Sequence, residues 1–123
     1  WLDGGHNPAA GEAIAAHFSK LEPRPTYAIC GMLNTKDVKG FLKPLVSQID
    51  KLFGISIPGE TNSLTAHQIS QEAINVGIES DWSDTVELAL ELITKYTEKP
   101  RIIICGSLYL AGHILILQEY EIK

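Results

Sequence analysis

Asp3, His6, Lys36 and Ser107 are the side chains whose types and surroundings in this sequence suit polar chemistry at a ligand. Asp3 and His6 fall in the opening stretch Trp1-Leu2-Asp3-Gly4-Gly5-His6-Asn7-Pro8, which reads as the tail of a buried strand turning into a helix. Leu2 ends the apolar part, Gly4 and Gly5 let the backbone turn tightly or approach a ligand, and Asn7 then Pro8 suit a helix cap and first turn. A helix start of this kind presents free backbone N–H groups and a positive dipole end, which attract phosphate or carboxylate. Lys36 follows the short loop Gly31-Met32-Leu33-Asn34-Thr35, and Ser107 follows the apolar run Ile102-Ile103-Ile104-Cys105-Gly106. Each also has a structural reading: Asp3 as a turn residue, His6 as a packed histidine, Lys36 as a solvated lysine, Ser107 as a cap.

Other chemistries fail on spacing. The opening stretch puts polar side chains and a proline where a dinucleotide fingerprint needs its second and third glycines, and no G-x-x-x-x-G-K-[ST] loop occurs. Cys105-Gly106-Ser107-Leu108-Tyr109 lacks the flanking glycines of a hydrolase nucleophile elbow. His6, His17, His67 and His113 have no metal-ligand spacing, so no metal ligands are assigned.

The elements that must position these residues alternate. A helix is expected from Pro8 to about Leu21, with Ile14, Phe18 and Leu21 on one face lightened by Ala10 and Ala13. Glu22-Pro23-Arg24-Pro25 breaks it. Tyr27-Ala28-Ile29-Cys30 is apolar on both faces, the pattern of a central strand covered on each side. Lys36 is expected to open a helix carrying Val38, Phe41, Leu42, Leu45 and Ile49, kinked at Pro44. A strand from Leu52 to Ile57 follows, then a helix capped by Ser63 or Thr65 with Ala66, Ile69, Ala73 and Val76 on its inner side. Val76-Gly77-Ile78 is read as a short edge strand. Ser83 is expected to cap a helix with Val86, Leu90 and Ile93 inward, which Lys99-Pro100 stops. Arg101 to Cys105 forms the strongest strand, and Leu108 to Tyr120 a last helix.

This alternation predicts an α/β fold of three layers, a doubly wound and mainly parallel sheet with helices on both faces. Ligands of such sheets sit beyond the carboxyl ends of the strands. That rule gathers the Asp3 to Asn7 turn, the Gly31 to Lys36 loop and Gly106-Ser107 on one rim.

At 123 residues, 45% hydrophobic and 20% charged, the chain suits a single domain over 1–123. A net charge of −5 without a Lys/Arg run argues against nucleic acid or an anionic membrane as partner. Cys30 and Cys105 sit in apolar runs and read as reduced, buried strand residues of a cytoplasmic protein. No run is long enough to span a membrane, and nothing resembles a signal peptide. A chain opening on Trp1 in mid-strand reads as part of a longer polypeptide.

Leu2-Asp3-Gly4-Gly5-His6-Asn7-Pro8 resembles the L-D-G-A-H-N-P signature of folylpolyglutamate synthase and dihydrofolate synthase, the FolC-type enzymes of the Mur ligase superfamily. Gly31-Met32-Leu33-Asn34-Thr35-Lys36-Asp37 is similar to the family's G-M-L-x-D-K-D loop, and Gly106-Ser107-Leu108-Tyr109-Leu110-Ala111-Gly112 to its G-S-L-Y-L-x-G segment. Gly5 replaces the usual alanine, and Asn34-Thr35 the usual x-Asp pair.

The resemblance implies a Rossmann-like Mur ligase C-terminal domain, part of an ATP-dependent ligase that adds L-glutamate to a folate or dihydropteroate carboxylate through an acyl phosphate. It implies that ATP and Mg²⁺ are held mainly by an N-terminal P-loop domain of the same polypeptide, absent from this chain, so that the fragment alone is inactive. By the same resemblance, Asp3 and Asn7 would lie on the nucleotide side, His6 with Asp3 would carry the catalytic role, and His6, Lys36 and Ser107 would bind glutamate. The alternative is a non-catalytic α/β module that binds a nucleotide or anionic metabolite, or docks a partner protein.

Overall fold

A computed structural model describes residues 12, 13, 15, 16, 19, 20, 25–33, 37–57, 59 and 61–106. Within them run β1 (Thr26–Gly31), α1 (Val38–Leu42) with a 3-10 turn (Lys43–Leu45), β2 (Lys51–Gly54), α2 (Ala66–Val76), β3 (Ser80–Trp82), α3 (Val86–Tyr96) and β4 (Arg101–Gly106). The strands form one sheet in the order β3-β2-β1-β4, and every neighbouring pair is parallel.

Register sorts the strand side chains into two apolar layers. Leu52, Ala28 and Ile103 are aligned across β2, β1 and β4 and belong to one core cluster, with Cys30 and Cys105 aligned two residues on. Phe53, Ile29 and Ile104 form the next row and belong to a second cluster on the opposite face. Adjacent residues of a strand point to opposite faces, so a strand apolar at every position must be covered twice. The first face is covered by α1 and α2 through Phe41, Leu42, Leu45, Ile69 and Ala73. The second is covered by α3 through Val86, Ala89, Leu90 and Ile93.

The change of face follows from the direction of travel. From β1 to β2 to β3 the chain steps one way across the sheet, and from β3 it returns past both to pair β4 with β1. A right-handed crossover that reverses direction must carry its helix over the opposite face.

Local chemistry sets the helix ends. The Asp37 carboxylate accepts the Gly40 N–H at 2.9 Å and caps α1, so the helix opens at Val38, two residues beyond the expected Lys36. Pro44 lies in the 3-10 turn that ends this helix, and Val38, Phe41, Leu42, Leu45 and Ile49 are all buried. Thr65, not Ser63, caps α2 with a reciprocal Gln68 contact, a full capping box. Thr85, rather than Ser83, caps α3; the Ser83 hydroxyl donates to the Thr85 carbonyl at 2.9 Å.

Three further expectations are corrected. Val76-Gly77-Ile78 is not a strand: Val76 ends α2, Gly77 takes the left-handed φ of 103°, and the Ile78 N–H returns to the Ala73 carbonyl at 2.9 Å. Ile78 is buried because it is the apolar residue after a left-handed cap. The edge strand lies at Ser80–Trp82 instead. Pairing of β2 stops at Gly54, although Ile55 and Ile57 remain buried. In the leading helix Glu12, Ala13, Ala15 and Ala16 are helical, but Ala13 is exposed while Ala15 packs against the first core cluster. The last helix, expected from Leu108, lies outside the described residues.

Candidate functional site at the sheet's switch point

The order β3-β2-β1-β4 places the topological switch between β1 and β4, because the chain leaves β1 toward β2 and comes back to β1's other side only after β3. Gly31 and Gly106 are register partners at the carboxyl ends of those two strands. The crevice outside such a switch is the ligand position of open α/β sheets. Glycine at both positions puts no side chain between the strand backbone and the crevice.

The loop leaving β1 is anchored on both sides. Met32 is fully buried and its carbonyl accepts the Leu64 N–H at 2.9 Å, while Leu33 bridges Ser63. At the far end Asp37 holds the start of α1. Lys36 directly precedes Asp37 in the chain, and Ser107 directly follows Gly106. The neighbouring loop is built to match: the Cys30 carbonyl accepts the Ile55 N–H, the Ser56 hydroxyl accepts the Ala66 N–H, and the Ser63 hydroxyl accepts the Ile57 N–H.

Beside the rim, a surface groove of ≈ 460 Å³ is lined by residues including Asp37, Lys39, Gln68 and Glu72. Asp37 and Gln68 are committed there to capping their helices. The cap role of Asp37 was open to sequence reasoning, since an Asp immediately before an apolar helical run is a start signal.

Asp3, His6, Asn7, Lys36 and Ser107 all lie outside the described residues. The structure therefore supplies the strand ends from which two of the three expected loops depart, and the register that sets those ends side by side. Among the described residues no group of three or more His, Cys, Asp or Glu side chains could hold a metal ion.

The sequence model of the dihydrofolate synthetase C-terminal domain matches residues 1–117. The chain belongs to that family. The dihydrofolate synthetase C-terminal match spans all three segments that resemble FolC-type signatures, from Leu2 to Gly112.

Solved structures agree on the fold. E. coli FolC in complex with DHPP and ADP is 23% identical with a TM-score of 0.80, over 98% of this chain and 28% of that one. Mycobacterium tuberculosis folylpolyglutamate synthase complexed with ADP is 22% identical with a TM-score of 0.86, over 96% of this chain and 29% of that one. A bifunctional folylpolyglutamate synthase/dihydrofolate synthase with Mn, AMPPNP and L-glutamate bound is 22% identical with a TM-score of 0.78, over 96% of this chain and 28% of that one. The chain thus spans less than a third of the length of these proteins. No curated protein matches it. Among the described residues no helix is long and apolar enough to cross a membrane.

Proposed function

We propose that this chain is the C-terminal domain, 1–123, of an ATP-dependent ligase that joins L-glutamate to a folate or dihydropteroate carboxylate. The observation that carries the reading is the paired strand ends at the switch point: the segments resembling FolC-type signatures begin at Gly31 and Gly106, the two residues in register there. Its support is the family membership over residues 1–117.

In this reading ATP phosphorylates the acceptor carboxylate, the amine of glutamate attacks the acyl phosphate, and an amide forms as phosphate leaves. The tasks of this chain are binding and orientation. Ser107, just ahead of the helix expected from the sequence, donates its hydroxyl to a glutamate carboxylate and Lys36 adds a compact positive charge. His6 orients glutamate or the reacting phosphate. Asp3 and Asn7 face the nucleotide, Asp3 accepting hydrogen bonds from the ribose or from a phosphate-contacting arginine.

The described rim of Gly31 and Gly106 fits close backbone approach to a ligand and supplies no charge of its own. Triphosphate and a divalent cation need neutralising and coordinating side chains. We therefore assign ATP and Mg²⁺ mainly to an N-terminal P-loop domain of the same polypeptide, in the part of the protein that this chain does not span.

The test is ligation by two proteins: the 123-residue chain alone, and a polypeptide joining it to that P-loop domain. ATP- and glutamate-dependent product is expected from the second and not from the first. A joined polypeptide that binds nucleotide yet makes no product favours the non-catalytic module; turnover by the chain alone refutes the division of labour.

A further inference from the structure

Cys30 and Cys105 are the only cysteines of the chain, and the proposed ligase chemistry uses neither. They are register partners on the parallel strands β1 and β4, and both belong to the cluster on the face covered by α1 and α2. The two thiols therefore project from neighbouring strands in the same direction. Exposure is 0% for Cys30 and 1% for Cys105, and the same cluster holds Met32, two residues after Cys30 and also 0% exposed. Three sulfur-bearing side chains thus share one apolar cluster, with Cys30 and Cys105 one residue inside the paired strand ends at Gly31 and Gly106.

Strand spacing decides what the pair can do. Neighbouring strands lie about 4.7–4.9 Å apart, and the Cβ atoms of in-register residues on parallel strands keep close to that separation. A disulfide needs Cβ atoms only about 3.5–4.5 Å apart, so the sheet holds this pair too wide for one. A metal–thiolate bond is about 2.3 Å, as at zinc, and two of them in line span about 4.6 Å. We propose that Cys30 and Cys105 form a two-thiolate site for one soft, thiophilic cation bound in line between them, with the Met32 thioether of the same cluster as a weak third donor. Sulfur donors select soft ions. Zinc takes four ligands, and among the described residues no group of three or more His, Cys, Asp or Glu side chains completes such a shell. Charge chooses among the soft ions. Two thiolates neutralise a mercuric ion, whereas a monovalent ion leaves a net negative charge in an apolar core, which is costly. On binding, both S–H bonds break, two Hg–S bonds form, two protons pass to solvent, and no electron is transferred.

Mercuric chloride added to the folded 123-residue chain tests this. One mercury per chain is expected, with two protons released for each. The melting temperature should rise, because two thiols held at the bridging distance bind the ion better than the same two in an unfolded chain. Uptake should be slow, since both thiols are shielded until the strand ends open. Cys30→Ala and Cys105→Ala should each weaken binding at least about a hundredfold, the loss of a second tethered ligand, and abolish the rise in melting temperature. Their melting without mercury checks that they fold; should either not fold, the stoichiometry of the unaltered chain still decides. Two mercury ions per chain, or a melting temperature lowered by the ion, overturns the proposal, because the thiols then act separately or the ion forces the core apart. An intramolecular disulfide formed by diamide while the chain stays folded overturns it as well, since the pair then stands closer than the strand spacing.

Discussion

Gly54 shows how little room a single position in this fold allows. A Cβ built there would lie 2.5 Å from the Ala66 carbonyl oxygen and 2.9 Å from the Ser70 nitrogen, both backbone atoms of α2. The clash cannot be relieved by a rotamer, so Gly54→Ala must push the helix off β2, with an expected loss of ~1–3 kcal/mol. Thermal or urea unfolding measures it, and an unchanged midpoint would mean that α2 shifts freely. The proposed ligand residues call for the opposite behaviour. In a polypeptide joined to the P-loop domain, Ser107→Ala should weaken apparent glutamate affinity roughly tenfold or more, the loss of a hydrogen bond to a charged group, with little effect on ATP. His6→Ala should act mainly on kcat if its contact forms only in the transition state. Separate KM values for ATP and glutamate, taken with melting temperatures, distinguish the roles: unaltered kinetics in both variants removes them from the site, and a loss of stability parallel to activity makes them structural.

The elements differ in how clearly local chemistry announces them. Thr65 and Gln68 satisfy the first turn of α2 reciprocally, at 3.1 Å from the Gln68 N–H to the threonine hydroxyl and 2.9 Å from the Thr65 N–H to the glutamine oxygen. Thr65→Ala breaks the box and should cost ~1 kcal/mol; Thr85→Ala should cost a similar amount at α3. Ser83→Ala tests a different bond, its donation to the Thr85 carbonyl. Equal melting temperatures for wild type and Thr65→Ala would show that the helix end is held by its packing alone. Capping residues were legible as types, but not as the member of a Ser/Thr cluster that would act. That choice depends on which residue takes extended backbone at the helix entry, as Thr65 does with ψ 156° and Thr85 with ψ 162°. The Val76-Gly77-Ile78 segment misleads for a related reason. Two β-branched residues favour a strand locally, and only the left-handed turn at Gly77 and the burial of Ile78 against Ala73's cluster reveal a helix end.

Across the whole molecule, two apolar clusters sandwich a sheet whose central strand β1 has a strand on either side. A sheet shared by both clusters couples them, so the isolated chain is expected to unfold as one cooperative unit. Circular dichroism and the fluorescence of Trp1 and Trp82 should give coincident transitions; separate midpoints would divide the two faces into independent units. Cys30 and Cys105 are register partners and both are buried thiols, as their apolar runs led one to expect. By itself the sequence determined the parallel α/β class, because Ile102-Ile103-Ile104 and Ala28-Ile29-Cys30 have no polar face and demand cover on both sides. It also determined the family, through short segments whose glycines and polar residues hold fixed spacing. Only the tertiary structure decided the strand order β3-β2-β1-β4, and with it that Gly31 and Gly106 stand side by side, 75 residues apart in sequence, at the switch point. The physical reason is that periodicity reports how many faces of an element are buried and not which neighbour buries them; that choice belongs to hydrogen-bond register and crossover handedness, which exist only once the sheet has assembled.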